Sequence, residues 1–104
     1  EYDLSLYENK KMKTDRAVAA NALKLAAARL PEIAEWNNEN LFESLKVLAA
    51  ENGLKNGQIL YPLRIALSGR ETTAGGATEI AAVLGRQETL ARIAAASAKL
   101  GAEA

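Results

Sequence analysis

The chain has 104 residues, of which 49% are apolar and only 5% aromatic, and it contains neither cysteine nor histidine. A chain of this length forms one domain and buries about two-thirds of its unfolded surface. The missing residue types exclude disulfides, thiolate and imidazole metal ligands, and Cys/His or Ser/His catalysis. Thirteen basic residues balance thirteen acidic ones. Attraction to nucleic acid therefore has to come from a local patch rather than from net charge.

The apolar residues are mainly Ala, Leu, Ile and Val, and Ala and Leu are the strongest helix formers. We expect an all-α fold, a compact bundle of about five helices, with one domain over residues 1–104. It divides into a basic lead-in over 1–13, two longer helices over 14–52 and three shorter helices over 53–104. The first residue is Glu1 rather than Met, which predicts an excised piece of a longer protein. No apolar run approaches the roughly 20 residues that a membrane span needs.

The first helix is predicted between Thr14 and Arg29. Thr14 is the expected N-cap because its hydroxyl can accept a hydrogen bond from a first-turn N–H, and Asp15 suits the positive end of the helix. Pro31 is expected to end it. Apolar residues at helical spacing define its buried face: Ala19, Ala22, Leu23, Ala26 and Leu30.

The second helix is predicted from an Asn37 or Asn38 cap to about Asn52, with Gly53 as its left-handed stop. Its two opposite faces are Leu41, Phe42, Leu45, Leu48 and Ala49 on the apolar side, and Glu39, Glu43 and Lys46 on the charged side. We interpret the carboxylates of the charged side as solvated surface groups rather than as a catalytic pair, because catalytic carboxylates need burial or a like-charged neighbour.

Glycine and proline positions divide the rest of the chain into three helices. The third begins at Gly57-Gln58, has Pro62 near its start, where a missing N–H costs little, and ends at Gly69. The fourth covers about 76–84 and the fifth about 86–100, with Gly85 between them. The expected buried residues are Leu63, Ala66 and Leu67 in the third helix, and Leu90, Ile93, Ala94, Ser97 and Leu100 in the fifth.

The densest basic stretch lies before the first helix and consists of Lys10, Lys11, Lys13 and Arg16. A run of this kind is commonly a solvated, mobile segment. It can also contact an RNA backbone, because phosphate contacts need only cations within reach. Both interpretations stay open at the level of the sequence.

Arg64 is the only charged residue between Lys55 and Arg70. One interpretation is structural: a residue whose charged end reaches solvent, or one that pairs with a helix end. The other is functional: a guanidinium held on a rigid support, which can stack on a base or form two parallel hydrogen bonds with it. The pair Gly75-Gly76 opens the fourth helix. Its glycines either offer backbone N–H groups to a phosphate or serve only to make the turn.

The segment GQILYPLRIALSG (57–69), followed by GGATEIAAVLG (75–85), resembles the C-terminal anticodon-binding domain of bacterial-type glutamyl-tRNA synthetase, a class I synthetase. The family pattern is close to GQ-x-x-x-P-[LV]-R-x-A-L-[ST]-G, then a loop, then Pro-Gly, then an E-[IV]-x-x-x-L-G helix. The chain also has the family's Trp36 with an amphipathic helix after it, and Leu90 and Arg92 in the last helix. The resemblance therefore spans nearly the whole chain, with its motifs in order.

This resemblance implies tRNA recognition rather than catalysis. In the family, the helical module holds the anticodon loop while a distant catalytic domain activates glutamate with ATP and attaches it to tRNA. The parent protein is therefore expected to be a glutamate–tRNA ligase, with no catalytic residue, metal or cofactor in this chain. ATP and magnesium are implied for the absent catalytic domain. The expected partner is the anticodon stem-loop of glutamate tRNA, with glutamine tRNA left open, and the expected protein is a cytoplasmic monomer without membrane contact.

The resemblance also implies the tRNA-binding residues. In the family, the arginine of the PLR motif and the loop after the ALSG motif contact anticodon bases; the matching positions are Arg64, Thr73, Gly75, Gly76 and Ala77. Arg70 is expected to assist as a neighbour of the loop, and Lys10, Lys11 and Lys13 as phosphate contacts. Ala74 stands where the family often has proline, and Gly76 and Ala77 replace larger apolar residues that can stack on a base. The loop is therefore expected to act through its backbone or through Arg70 and Thr73.

Two other classes of function are compatible with an all-α chain. One is a protein-interaction module whose Ala-rich helix faces dock on a partner without any RNA role. The other is an independent small enzyme, which the missing histidine and cysteine disfavour.

Overall fold

The computed structural model describes residues 3–103, with side chains described up to residue 101. Within this range the α-helices are α1 (Arg16–Arg29), α2 (Asn38–Glu51), α3 (Asn56–Ser68), α4 (Ala77–Leu84) and α5 (Arg86–Glu103). Two short 3₁₀ helices, Leu4–Tyr7 and Leu30–Glu32, precede and follow α1. The strand-like pairing of the described residues is limited to one isolated antiparallel bridge. The predicted all-α fold of about five helices is confirmed.

The central helix is α3, which contacts the other four α-helices and the first 3₁₀ helix. Its sequence explains this position, because a helix that is apolar nearly all round has to be buried. The buried residues of α3 are Ile59, Tyr61, Pro62, Leu63, Ile65, Ala66 and Leu67. Only one charged residue, Arg64, interrupts this run. The helix that carries Arg64 is therefore held from several sides.

The first helix lies against α3 and α5. Its predicted buried face is confirmed, since all five of its members have 0% exposure: Ala19, Ala22, Leu23, Ala26 and Leu30. Alanines at three of the five positions let the helices approach closely, because interaxial distance depends on the side chains at the contact. α5 contributes the buried residues Ile93, Ala96 and Leu100 to the core.

Two helix starts test the capping predictions. Asp15, rather than Thr14, is the N-cap of α1, because its Oδ1 accepts a hydrogen bond from the Val18 N–H at 2.8 Å. Thr14 is buried and paired to an earlier segment instead. The sequence offered Asn37 or Asn38 as the N-cap of α2, and the structure has Asn37. Its Oδ1 accepts a hydrogen bond from the Asn40 N–H at 2.8 Å.

The position predicted for Pro62 is wrong. α3 begins at Asn56, so Pro62 lies in the interior of the helix, where it is buried. The predicted start at Gly57-Gln58 is within one residue of the observed one, and the Gln58 side chain caps it by accepting from the Lys55 N–H at 2.8 Å. The predicted end is confirmed, with Gly69 in the left-handed region at φ 73°.

Two predicted core positions are also wrong. Phe42 is 39% exposed, because the buried stripe of α2 follows Leu41, Leu45, Leu48 and Ala49, and Phe42 lies beside this stripe. In α5, Ala94 is exposed, whereas Thr89 and Ala96 are buried.

Candidate nucleic-acid interface

Residues 10–13 form a tight turn between Asn9 and Thr14, whose backbones exchange two hydrogen bonds of 3.0 Å. The Met12 N–H donates to Asn9 Oδ1 at 3.1 Å, and Lys13 takes a left-handed conformation at φ 57°. We call residues 10–13 the basic turn. Its three lysines, Lys10, Lys11 and Lys13, are all exposed. The cations predicted from the sequence are thus presented by a hydrogen-bonded turn.

The basic turn is fixed against the start of α3. Gln58 Nε2 donates to the Lys13 carbonyl at 3.0 Å. At Gly57, an added Cβ would lie 3.1 Å from Met12 Sδ, so the glycine lets the turn approach the helix closely. One turn of helix further, the Tyr61 hydroxyl donates to the carbonyl of Leu6 at 2.7 Å. The lead-in therefore lies along the first two turns of α3.

Arg64 lies on the same face of α3 as Gly57 and Leu60, because residues three and four apart are neighbours on a helix surface. Its guanidinium is half-buried, and Nη1 donates to the Glu71 carbonyl at 3.2 Å. Among the described residues, its buried Nε has no hydrogen-bond partner. The guanidinium is thus held by the loop after α3, with donors still to be satisfied.

Between the basic turn and Arg64 lies a cleft of about 160 Å³, which we call the α3 cleft. Its lining residues are Met12, Gly57, Leu60, Tyr61 and Arg64. The two cationic features that the sequence identified separately therefore border one depression on one helix.

The loop from 69 to 76 is tied to α3 at its beginning. Ser68 Oγ donates to the Arg64 carbonyl at 2.7 Å and accepts from the Arg70 N–H at 3.1 Å. The Arg70 side chain is exposed, and the next residue, Glu71, supplies the carbonyl that Arg64 contacts. Arg64 and Arg70 are therefore brought to the same end of α3.

The far end of this loop is tied to α4. Thr73 Oγ1 donates to the carbonyl of Gly75, and the Gly76 N–H donates to Glu79 Oε1 at 2.8 Å. Thr73, Gly75 and Gly76 are half-buried. Ala77 is only 4% exposed, so this predicted contact residue offers little surface to a ligand.

The last turn of α3 is capped from α5. Arg92 Nη1 donates to the Leu67 carbonyl at 2.6 Å, while its Nε pairs with Glu88 Oε2 at 2.8 Å. Cations stabilise the carbonyl end of a helix. Arg92 therefore fixes the point at which α3 gives way to the loop.

The start of α4 is anchored to α2. Thr78 Oγ1 donates to Asn38 Oδ1 at 2.6 Å. Trp36 Nε1 donates to the Ala81 carbonyl at 2.9 Å, and the Arg86 guanidinium lies 5.4 Å from the centre of the Trp36 ring, within cation–π range. Trp36 thus supports the helix that follows the loop.

The described side chains offer ammonium groups, a half-buried guanidinium and loop backbone groups, which suit binding of an anionic polymer. Among residues 3–103 no group of three or more potential metal ligands is placed to hold an ion. Over the same range, no helix has the length and apolar content needed to cross a membrane.

The sequence did not reveal that Met12 and Leu60 line the α3 cleft. It also did not reveal the hydrogen bond from the Gln58 side chain to the Lys13 carbonyl. The signal for Gln58 was visible as part of the GQ pair. Helical periodicity, however, cannot reveal a hydrogen bond to a residue 45 positions earlier.

Comparison with known proteins gives the same family along almost the whole chain. The model of the anticodon binding domain matches residues 1–97. A glutamate–tRNA ligase of Lachnoclostridium phytofermentans is 43% identical over 100 residues, covering 96% of this chain and 20% of that protein. Those of Clostridium acetobutylicum and Clostridium tetani are 40% and 44% identical over 93 residues, each covering 89% of this chain and 19% of the relative.

The chain therefore spans about a fifth of the length of the relatives it matches. The matched part is the C-terminal part of those ligases. Together with the all-helical fold and the matched motifs, this shows that the chain belongs to the anticodon binding domain family found in glutamate–tRNA ligases.

Proposed function

We propose that this chain recognises the anticodon loop of glutamate tRNA as the non-catalytic part of a glutamate–tRNA ligase. The observation that carries the proposal is the placement of Arg64. It lies on the central helix, between the basic turn and the loop from 69 to 76, and its guanidinium is held by the Glu71 carbonyl. Family membership supports RNA as the ligand, and the names of the relatives support glutamate tRNA.

In this proposal, two kinds of group contribute to binding. The exposed lysines of the basic turn neutralise phosphates, which supplies affinity without sequence information. Arg64 supplies the specific contact, because a planar guanidinium with five N–H donors fits the edge or the face of an unstacked base. Arg70 and the loop backbone at Thr73, Gly75 and Gly76 complete the contact.

Glutamate activation is assigned to the rest of the ligase. ATP and magnesium would act there, a proposal that rests on the similarity to glutamate–tRNA ligases. The same proposal has the protein working as a cytoplasmic monomer. Glutamine tRNA is kept as an open alternative for a second tRNA of the ligase.

The main alternative was a protein-interaction module that docks through Ala-rich helix faces. The most regular of these faces, formed by Ala19, Ala22 and Ala26, is fully buried inside the domain. That face is therefore taken up by the fold, whereas α5 exposes alanines at Ala91, Ala94, Ala95 and Ala98. Family membership, rather than burial, favours RNA recognition over the alternative.

The test is an NMR titration of the 104-residue chain with a glutamate tRNA anticodon stem-loop at low salt. We expect the Arg64 Nε–H and the Thr73 amide to shift, while the amide of Lys46, on the charged face of α2, stays in place. Shifts confined to other residues would contradict the site, and no shifts at all would contradict the function. A stem-loop with a changed anticodon is the matched RNA control.

A further inference from the structure

The α3 cleft has the size of a site for one flat chemical group. Its volume is about 160 Å³, whereas a water molecule takes up about 30 Å³ of liquid and pockets for small-molecule ligands range over roughly 300–1,000 Å³. The cleft is therefore too large for a single water and too small for a complete cofactor.

Its lining combines apolar and cationic side chains. The apolar ones include Met12, which is 40% exposed, and Leu60, and the cationic one is Arg64. Thioethers pack well against aromatic rings, and guanidinium planes stack on bases. A nucleobase suits both kinds of side chain at once.

The surroundings of the cleft suit the phosphates of such a base. Met12 lies within the basic turn, and its neighbours in sequence, Lys11 and Lys13, are both exposed. The wall is also pre-organised, because Gln58 fixes the turn to α3. Pre-organisation reduces the entropy that is lost on binding.

We propose that the α3 cleft receives one unstacked base of the bound RNA, in contact with Met12, Leu60 and Arg64. This inference rests on the proposed function and adds a base site to it, with binding roles for Met12, Gly57 and Leu60. Gly57 keeps the cleft open, because a methyl group at this position would approach Met12 Sδ.

The first test compares how the loss of single RNA bases affects binding to the unmodified chain and to a Met12 variant. A series of anticodon stem-loops, each with one abasic nucleotide in the loop, is titrated against the unmodified chain and against Met12→Ala. We expect one abasic position to weaken binding to the unmodified chain by roughly tenfold. In Met12→Ala, most of that penalty should disappear, because the base has lost its support. If every abasic penalty is the same in both proteins, the base site is wrong.

The second test narrows the cleft without removing a charge. Gly57→Ala should raise or preserve the unfolding temperature, because alanine is favoured over glycine in a helix. Binding of the unmodified stem-loop should nevertheless weaken several-fold. Gly101→Ala is the matched control, since it makes the same change in α5, where an added Cβ meets nothing within 4 Å. If Gly57→Ala binds as tightly as Gly101→Ala, the cleft holds no base.

The experiments distinguish a failure of the proposed function from a failure of the base site. If the unmodified chain binds no anticodon stem-loop, both the proposed function and the base site are overturned. If it binds, but changes at Met12 and Gly57 have no effect, only the base site is overturned.

Discussion

The side-chain amide of Gln58 donates a hydrogen bond from Nε2 to the backbone carbonyl of Lys13 over 3.0 Å. The oxygen of the same amide accepts from the Lys55 N–H at 2.8 Å, which caps the first turn of α3. One side chain thus begins the central helix and fixes the basic turn against it. The cations of the lead-in are therefore positioned by the same helix that carries Arg64.

Gln58→Glu separates these two roles. A glutamate keeps the oxygen that accepts from Lys55 but has no N–H to donate to Lys13, and its charge suits the start of a helix. We expect the free energy of unfolding, measured by urea denaturation, to stay within about 1 kcal/mol of the original value. The affinity for an anticodon stem-loop should fall several-fold, because the turn is no longer fixed.

The added negative charge needs its own control. Gln87→Glu makes the same change on an exposed residue in the first turn of α5. If both variants lower the affinity equally, the charge is responsible rather than the hydrogen bond to Lys13. Gln58→Ala, which loses both roles, should be destabilised by about 1–2 kcal/mol.

The exposed lysines of the basic turn should determine the salt dependence of binding. The logarithm of the affinity for single-stranded nucleic acid falls with the logarithm of salt concentration by about 0.7 for each neutralised phosphate. The double variant Lys10→Gln, Lys11→Gln should therefore have a flatter slope in titrations over a salt series. Lys46→Gln, on the charged face of α2, should keep the original slope. An unchanged slope in the double variant would show that these lysines do not contact phosphates.

Arg64 should contribute through its shape as well as its charge. We expect Arg64→Ala to weaken stem-loop binding by about 1–3 kcal/mol, the range for a base contact. Arg64→Lys should lose most of the same amount, because an ammonium cannot reproduce the planar fork. Calorimetric titration measures both, with Lys46→Ala as the control. If Arg64→Ala and Lys46→Ala have equal effects, Arg64 is a structural residue of α3.

Features that depend on local sequence were predictable. The buried face of α1 follows from the spacing of its alanines and leucines, and the end of α3 follows from Gly69, which takes the left-handed φ of 73°. Both depend on residues within a few positions of one another. Family motifs added the identity of Arg64 as a candidate contact, which its isolation in an apolar segment left open.

Features that depend on tertiary packing were not predictable. Pro62 was expected near a helix start, where its missing N–H costs little, but α3 begins at Asn56 and Pro62 is buried in the interior of the helix. Phe42 was expected in the core, but the buried face of α2 runs through Leu41 and Leu45, and Phe42 lies beside that face. The α3 cleft joins residues from 12 to 64, and no local pattern encodes such a pairing.

The glycines that follow α3 and α4 differ in their backbone conformation. Gly69 has φ 73° and ψ 16°, a left-handed conformation that asparagine tolerates. Gly85 has φ 88° and ψ 166°, which is essentially restricted to glycine. In urea denaturation we expect Gly69→Asn to cost less than about 1 kcal/mol and Gly85→Asn about 2–3 kcal/mol. The cost at Gly85 would be conformational, because an added Cβ there meets nothing within 4 Å. Equal costs would contradict this assignment.

Arg92 should stabilise the end of α3 and the start of the loop. Its Nη1 donates to the Leu67 carbonyl at 2.6 Å, and its side chain is 42% exposed, so solvent screens part of the interaction. We expect Arg92→Ala to lower the free energy of unfolding by about 1–2 kcal/mol. Glu88→Ala removes only the exposed pair with Arg92 and should cost about 0.3–0.5 kcal/mol.

Amide hydrogen exchange distinguishes a local effect of Arg92 from a global one. The Gly69 N–H donates to the Ile65 carbonyl and the Arg70 N–H to Ser68 Oγ, both next to the carbonyl that Arg92 caps. In Arg92→Ala these two amides should exchange faster than the overall loss of stability explains, because the last turn of α3 frays. In Glu88→Ala they should not. Uniform acceleration along α3 would mean that Arg92 supports the whole bundle rather than the junction that presents the loop.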